Sequence, residues 1–245
     1  MAKKRRICGT DAVQIEDYIR KRDQQKQQQS RAIEIIPRGL NQEKYVSMLF
    51  DPNCNIAIAS GPAGTGKTML AMVAAIKAFK TGAISKIVLT RPAVEVEDEQ
   101  HGFLPGTLLE KMAPWTRPLF DVLHEHFRPA EVLNMIEEQT LEVAPLAYMR
   151  GRTFKDTFIV ADEMQNATPN QLKMLMTRIG DGSKIAITGD VNQTDRVKGD
   201  NGLADLMLKL DNSTSTRIQC VQFTSKDVKR HPVVPEVLKL YGEES

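Results

Sequence analysis

Short apolar runs alternate with longer stretches of helical periodicity from about residue 33 onward. Asn55-Ile56-Ala57-Ile58-Ala59 predicts a buried strand over 53–59, and Met69-Leu70-Ala71-Met72-Val73-Ala74-Ala75-Ile76 predicts a helix running to Lys80, where Gly82 can close it. That helix is apolar on nearly every side, so it is expected to lie buried against a sheet. Residues 85–90, 158–161, 184–188 and 217–223 read as further strands. Asn41 can cap a helix that places Val46, Leu49 and Phe50 on one face. Thr168-Pro169-Asn170-Gln171 supplies a cap, a first-turn proline and a capping-box glutamine, ahead of Leu172, Leu175, Met176 and Ile179 at helical spacing. Further helices are expected over 203–210 and 234–241. Between 107 and 150 the pattern is mixed helical, with breaks expected at Pro105, Pro114, Pro118, Pro129 and Pro145. Strands alternating with helices imply an α/β fold, a mainly parallel sheet covered on both faces in three αβα layers. Ligands of such sheets bind at the carboxyl ends of the strands.

Composition changes this picture at one end. Residues 1–31 carry nine Lys/Arg against four Asp/Glu, and Gln24, Gln25, Gln27, Gln28 and Gln29 leave almost no apolar surface to bury. They read as a basic, Gln-rich arm, flexible or partly helical through Ile15, Tyr18 and Ile19. The arm either attracts phosphate backbones or is simply solvated. Residues 32–245 read as one α/β domain, and here 24 Lys/Arg face 27 Asp/Glu, so any nucleic-acid surface must be local. No apolar run approaches 18 residues, and Lys3-Lys4-Arg5-Arg6 is followed by no apolar segment, so neither a membrane span nor a secretory signal is expected. Cys8, Cys54 and Cys220 are too scattered for a disulfide framework. A cytoplasmic protein is the expectation. His124 and His126, two apart on an expected helix, do not share a face and are not read as a metal site.

Three strings carry chemistry. Gly61-Pro62-Ala63-Gly64-Thr65-Gly66-Lys67-Thr68, between a strand and a helix, is a complete phosphate-binding loop. Its glycines let successive N–H groups turn toward phosphate oxygens, Lys67 can reach the β- and γ-phosphates, and Thr68 can ligate Mg²⁺. The ligand class is a nucleoside triphosphate. Asp162-Glu163, after the strand 158–161, can hold Mg²⁺ through Asp162 and polarise an attacking water through Glu163. Because neighbours on an extended segment point to opposite sides, the two carboxylates need not share a task. Gln193, in the turn after the strand 184–188, is placed to bond the γ-phosphate and that water.

The strings 141–154, 158–166 and 187–193, with Lys111-Met112-Ala113-Pro114-Trp115-Thr116-Arg117-Pro118-Leu119 and Lys229-Arg230-His231-Pro232-Val233, resemble the PhoH family over roughly residues 37–242. Ala161 and Met164 depart from it, standing where the family usually has a larger aliphatic and an alanine. The resemblance implies a Mg²⁺-dependent ATPase with a RecA-like P-loop NTPase core similar to the first such domain of superfamily-one helicases. The family is associated with phosphate starvation. A short form without KH-like or PIN nuclease segments looks like versions carried by bacteriophages, which would act in the host cytoplasm. By the same resemblance Gln42 reads an adenine edge, the rival reading being an ordinary polar residue in the first turn of a helix. Arg91 contacts single-stranded nucleic acid. Arg230 acts as an arginine finger in trans, which requires self-association into a ring, a hexamer. Arg150 and Arg152, with Lys155, form a further basic group that either binds RNA or DNA phosphates or is solvated. Phe103, Trp115 and Phe154 are candidate base-stacking side chains, with core or interface packing as the rival reading. Two other function classes use the same loop: a phosphotransferase on a small acceptor, against which the acidic run Glu95-Val96-Glu97-Asp98-Glu99 argues, and a nucleotide-timed assembly protein.

Overall fold

In the computed structural model, residues 33–92, 108–193, 201–211, 213–228 and 233 are described. The arm at 1–31, Phe103, the acidic run 95–99, Arg230 and the helix expected at 234–241 lie outside them.

All five side chains of Ile56–Ser60 (β1) are buried, because this strand is covered on both faces. Five more strands join it: Lys86–Thr90 (β2), Leu141–Val143 (β3), Thr157–Ala161 (β4), Lys184–Gly189 (β5) and Ile218–Gln222 (β6). They form one parallel sheet in the order β3-β2-β4-β5-β1-β6. Alternate residues of β1 therefore enter separate cores. Ala57 and Ala59 pack under Leu40–Phe50 (α1), Lys67–Lys80 (α2), Leu108–His126 (α3) and Pro129–Glu137 (α4). Ile56 and Ile58 pack on the other face under a 3₁₀ turn at Leu146–Met149, Pro169–Met176 (α5) and Gly202–Asp211 (α6). These are the three αβα layers of the expected fold.

Local signals explain most boundaries. Gly82, at φ 76°, ends α2 in a left-handed turn, with Gly82 N–H bonded to Phe79 O and Ala83 N–H to Ala78 O. Thr168 accepts Gln171 N–H while the Gln171 side chain accepts Thr168 N–H, the reciprocal cap expected for α5. The Lys184 ammonium donates to Met48 O (3.0 Å) and Asp51 O (2.8 Å), closing α1 from a distant strand.

Four expectations are corrected. Asn41 does not cap α1, since Gly39 stands at that position; its side chain bonds Asp227 at 2.8 Å instead. Phe50 is 42% exposed, and Tyr45 and Met48 carry the buried face with Leu49. Pro114 and Pro118 do not break α3, a continuous 19-residue helix; burial of Leu119 and Leu123 against α2 offsets the two lost backbone bonds. Ile179 lies beyond the end of α5 and bridges Phe154.

The edge strand β3 was hidden by its brevity. Its middle residue, Glu142, faces outward and gathers the Arg152 guanidinium at 2.5 and 2.8 Å and the Lys86 ammonium at 2.6 Å. Bonds from Arg152, opposed by burial and reinforced by Lys86, bring the Glu142 carboxyl from its usual 4.5 down to about 2. A carboxylate whose folded pKa is depressed stabilises the fold above its unfolded value and loses that contribution as pH falls through the folded one. Between pH 4.5 and 2, Glu142→Gln should therefore give a shallower fall of Tm with acid than wild type, with a neutral-pH Tm lower by about 2–4 °C. Circular dichroism melts across that range check it; parallel curves would remove Glu142 from the acid response.

Candidate nucleotide site

The carboxyl ends of β1, β4 and β5 meet at one cleft of about 290 Å³. After β1 the chain turns through Gly61, Gly64 and Gly66, at φ 144°, 82° and 83°, before entering α2 at Lys67. These backbone angles belong to glycine, and at Gly61 there is a second reason. A Cβ there would stand 2.3 Å from Phe223 O, so β6 packs directly on the loop. Gly61 N–H bonds Gly189 O at 3.1 Å, which fixes the start of the loop to the end of β5.

Inside the loop, the Lys67 ammonium donates to Gly61 O (2.6 Å), Pro62 O (2.7 Å) and Thr65 Oγ1 (3.2 Å). Thr65 Oγ1 donates in turn to Pro62 O. Burial pushes the Lys67 ammonium below its usual value, while Asp190, then Asp162 and Glu163, pull it back up. Gln42 lies buried behind the loop, donating to Thr65 O at 2.9 Å and accepting Arg38 N–H at 2.7 Å. Ala63, Gly64, Gly66, Lys67 and Thr68 line the cleft.

Across from the loop, Asp162 Oδ1 accepts Thr68 Oγ1 at 2.7 Å and Thr188 Oγ1 at 2.5 Å. Hydroxyl and carboxylate oxygens thus converge from the head of α2 and the ends of two strands, a hard, all-oxygen donor set that fits Mg²⁺. Glu163 does not diverge from Asp162; both line the cleft. The strand alternation stops because Glu163 takes the left-handed conformation (φ 54°, ψ 38°), which turns the chain at once into the 3₁₀ turn Met164–Asn166. Such a conformation costs a non-glycine residue on the order of 1 kcal/mol and persists where neighbours hold it. Here Gln165 holds it: its Nε2 donates to Glu163 Oε2 at 2.5 Å, and its Oε1 accepts Asp190 N–H at 3.1 Å.

Gln193 lines the same cleft, in a turn shaped by Asp190 Oδ1 accepting Asn192 N–H. Sequence reasoning therefore found Lys67, Thr68, Asp162, Glu163 and Gln193 in one place, and missed Thr188, Gln165 and Asp190. A threonine ending an apolar strand was the available signal for Thr188; Gln165 is marked out by its burial and its partners, which the structure supplies. The other named residues lie apart from this cluster. Arg91 is half-buried at the end of β2, with its carbonyl accepting Leu146 N–H. Arg152 is held by Glu142 and stacks over Phe154 at 4.5 Å. Phe154 is 4% exposed and serves the core, so it offers no stacking surface. Arg150 is exposed and lines a separate groove.

A phosphate loop on β1, an acidic pair on β4 and an intervening β5 that donates a hydroxyl define a P-loop NTPase with a RecA-like core. The family model described as PhoH-like protein matches residues 34–242, and the chain belongs to that family. It is 47% identical over 212 residues to a PhoH-like protein of Mycobacterium tuberculosis (strain H37Rv) and 44% identical over 212 residues to one of Bacillus subtilis (strain 168). Each match covers 85% of this chain but only 58% and 64%, respectively, of the relatives' own length. A SWI2/SNF2 ATPase core from Sulfolobus solfataricus, solved with dsDNA, aligns at 14% identity and a TM-score of 0.44 over 80% of this chain and 47% of that one. Among the described residues, no helix is long and apolar enough to cross a membrane.

Gly61→Ala tests the geometry of the loop. The added methyl must displace Phe223 O, so Tm should fall by about 4–8 °C, equivalent to ~2 kcal/mol, and the thermal shift on adding nucleotide should vanish. A variant that melts and shifts like wild type would show that β6 does not constrain the loop.

Proposed function

We propose that this chain hydrolyses ATP with Mg²⁺ and couples hydrolysis to single-stranded nucleic acid, RNA or DNA, as a ring. The observation that carries the hydrolytic part is the cleft's content: a lysine on a phosphate loop faces three carboxylates, Asp162, Glu163 and Asp190, with Gln193 beside them. Alone, this excess of negative charge repels a triphosphate, so a divalent cation must accompany it. Thr68 and Asp162 would hold Mg²⁺, which when bound supplies charge neutralisation at the β- and γ-phosphates.

The chain's own groups do the rest. Loop N–H groups and Lys67 bind the phosphates, Lys67 exchanging its bonds to Gly61 O and Pro62 O for phosphate oxygens. Gln193 orients a water, and Glu163 takes its proton as the oxygen attacks the γ-phosphorus. The bond from that phosphorus to the bridging oxygen breaks, leaving ADP and phosphate. Adenine is favoured by Gln42, which retains one N–H and one lone pair beyond its bonds to Thr65 O and Arg38 N–H. Arg91 and Arg150 are the proposed phosphate contacts to nucleic acid. The role of Arg152 is to hold β3 through Glu142.

Glu163→Gln should lower ATP hydrolysis at least ~100-fold while ATP still raises Tm, and single-stranded RNA or DNA should stimulate the wild type. Phosphate-release assays with and without each polymer check both parts. Hydrolysis at full rate in the variant removes Glu163 as base; indifference to every nucleic acid removes the coupling.

The ring reading rests on Arg230, proposed to act on the neighbouring subunit's γ-phosphate. Arg230→Ala alone should lose roughly 10³-fold or more in rate, and mixing it with Glu163→Gln should restore part of the activity. Light scattering with ATP and Mg²⁺ should show a hexamer; a monomer under all conditions, or no rescue on mixing, would sink the ring.

A further inference from the structure

On the sheet face opposite α2, a groove of about 420 Å³ runs between the β3–β4 crossover and α5. Arg150 enters it from the crossover, Asn170, Lys173 and Thr177 from one face of α5, and Arg178 from the segment after the helix. Three cations line it and no carboxylate does, in a domain whose residues 32–245 carry more acidic than basic side chains. This is a local inversion of charge.

The cations are not spoken for. Among the described residues, neither Arg150 nor Lys173 forms an ion pair. The Arg178 guanidinium, among the described residues, donates to Arg152 O at 3.4 Å and Thr177 Oγ1 at 3.2 Å, and its Nε is buried without a partner. The groove offers the Arg178 guanidinium the neutral hydroxyl of Thr177, and no carboxylate lines it to pair the charge. An acceptor-only anion meets that need, and a phosphodiester offers the oxygens that guanidinium groups bind as a fork.

The shape decides between one phosphate and many. From Asn170 to Thr177 the lining face of α5 extends roughly 10 Å, and the groove is open to solvent along it. An isolated anion would be poorly enclosed there, whereas a strand can lie lengthwise and present successive phosphates. The crossover also links this groove to the sheet's carboxyl edge. Leu146 N–H bonds Arg91 O at one end, and Arg150 follows the 3₁₀ turn at the other.

We propose that this groove binds the phosphate backbone of a single nucleic-acid strand through Arg150, Lys173 and Arg178. The proposal rests on the nucleic-acid reading above and adds two side chains, Lys173 and Arg178, that the sequence did not single out. The exposed pair Arg150 and Lys173 can be changed without touching the core.

The test uses the full chain and fluorescein-labelled 20-residue single strands, RNA and DNA, with anisotropy followed across a salt series. Arg150→Ala and Lys173→Ala should each weaken binding about 3–10-fold, equally on unrelated sequences, and reduce the log–log salt slope by about 0.7. Lys173→Arg should bind like wild type. Unchanged Tm in these variants keeps the comparison free of misfolding. Wild-type affinity and slope in both alanine variants would overturn the groove while leaving nucleic-acid coupling intact. No binding by the wild type, with or without ATP analogue, would remove both. Dependence on these residues for polyglutamate but not for RNA or DNA would assign the groove to an acidic protein partner and overturn it.

Discussion

A single oxygen, Asp162 Oδ1, receives two hydroxyl protons, one from Thr68 at the head of α2 and one from Thr188 near the end of β5. Three segments remote in sequence meet in those two bonds. They can meet only because β5 lies between β1 and β4 and is in register with both, Ser60 opposite Gly189 and Ala161 opposite Ile187. Slipping either pairing by one residue would turn the Thr188 hydroxyl to the other face of the sheet. Much of the site follows from this meeting. The loop is pinned to β5 through Gly61 and Gly189, and Lys67 is thereby held facing three carboxylates.

What the sequence disclosed and what it concealed divide along a physical line. Glycines at positive φ, a capped helix start and short apolar runs are local or compositional, so the loop at 61–68, α5 and five of the strands could be read directly. Features decided by tertiary contact could not. β3 has three residues, too few for periodicity, and exists because β2 offers it an edge. Pro114 and Pro118 are tolerated because α3 is packed against α2, a stabilisation no propensity records. Phe154 reads as a stacking aromatic until the core claims it, and Arg152 reads as a free cation until Glu142 and Lys86 appear beside it.

Glu163 is the sharpest example. Strand alternation predicts that it turns away from Asp162, and a left-handed backbone reverses that. The cause lies two residues further on, in Gln165, whose amide spans from Glu163 Oε2 to the Asp190 backbone. No local rule distinguishes that glutamine from any other polar side chain opening a turn. Its burial and its two partners do, and both depend on where β5 ends.

The same amide bears on how the site can act as a unit. Glu163 and Gln193 both line the cleft, and Gln193 sits in the turn that Asp190 shapes. Gln165 bonds to both parts, so neither can shift by an ångström without breaking or dragging its amide. The turn that carries Gln193 is thus tied through one amide to the Glu163 carboxylate. The chain then runs directly from Gln165 through the Thr168 cap into α5, the helix that forms one wall of the proposed strand groove. Residues 161–178 accordingly hold Asp162, Glu163, Gln165, Lys173 and Arg178 in one continuous stretch that starts from β4. The cleft and the wall of the proposed groove are thus joined by one short segment of chain, with no intervening element between them.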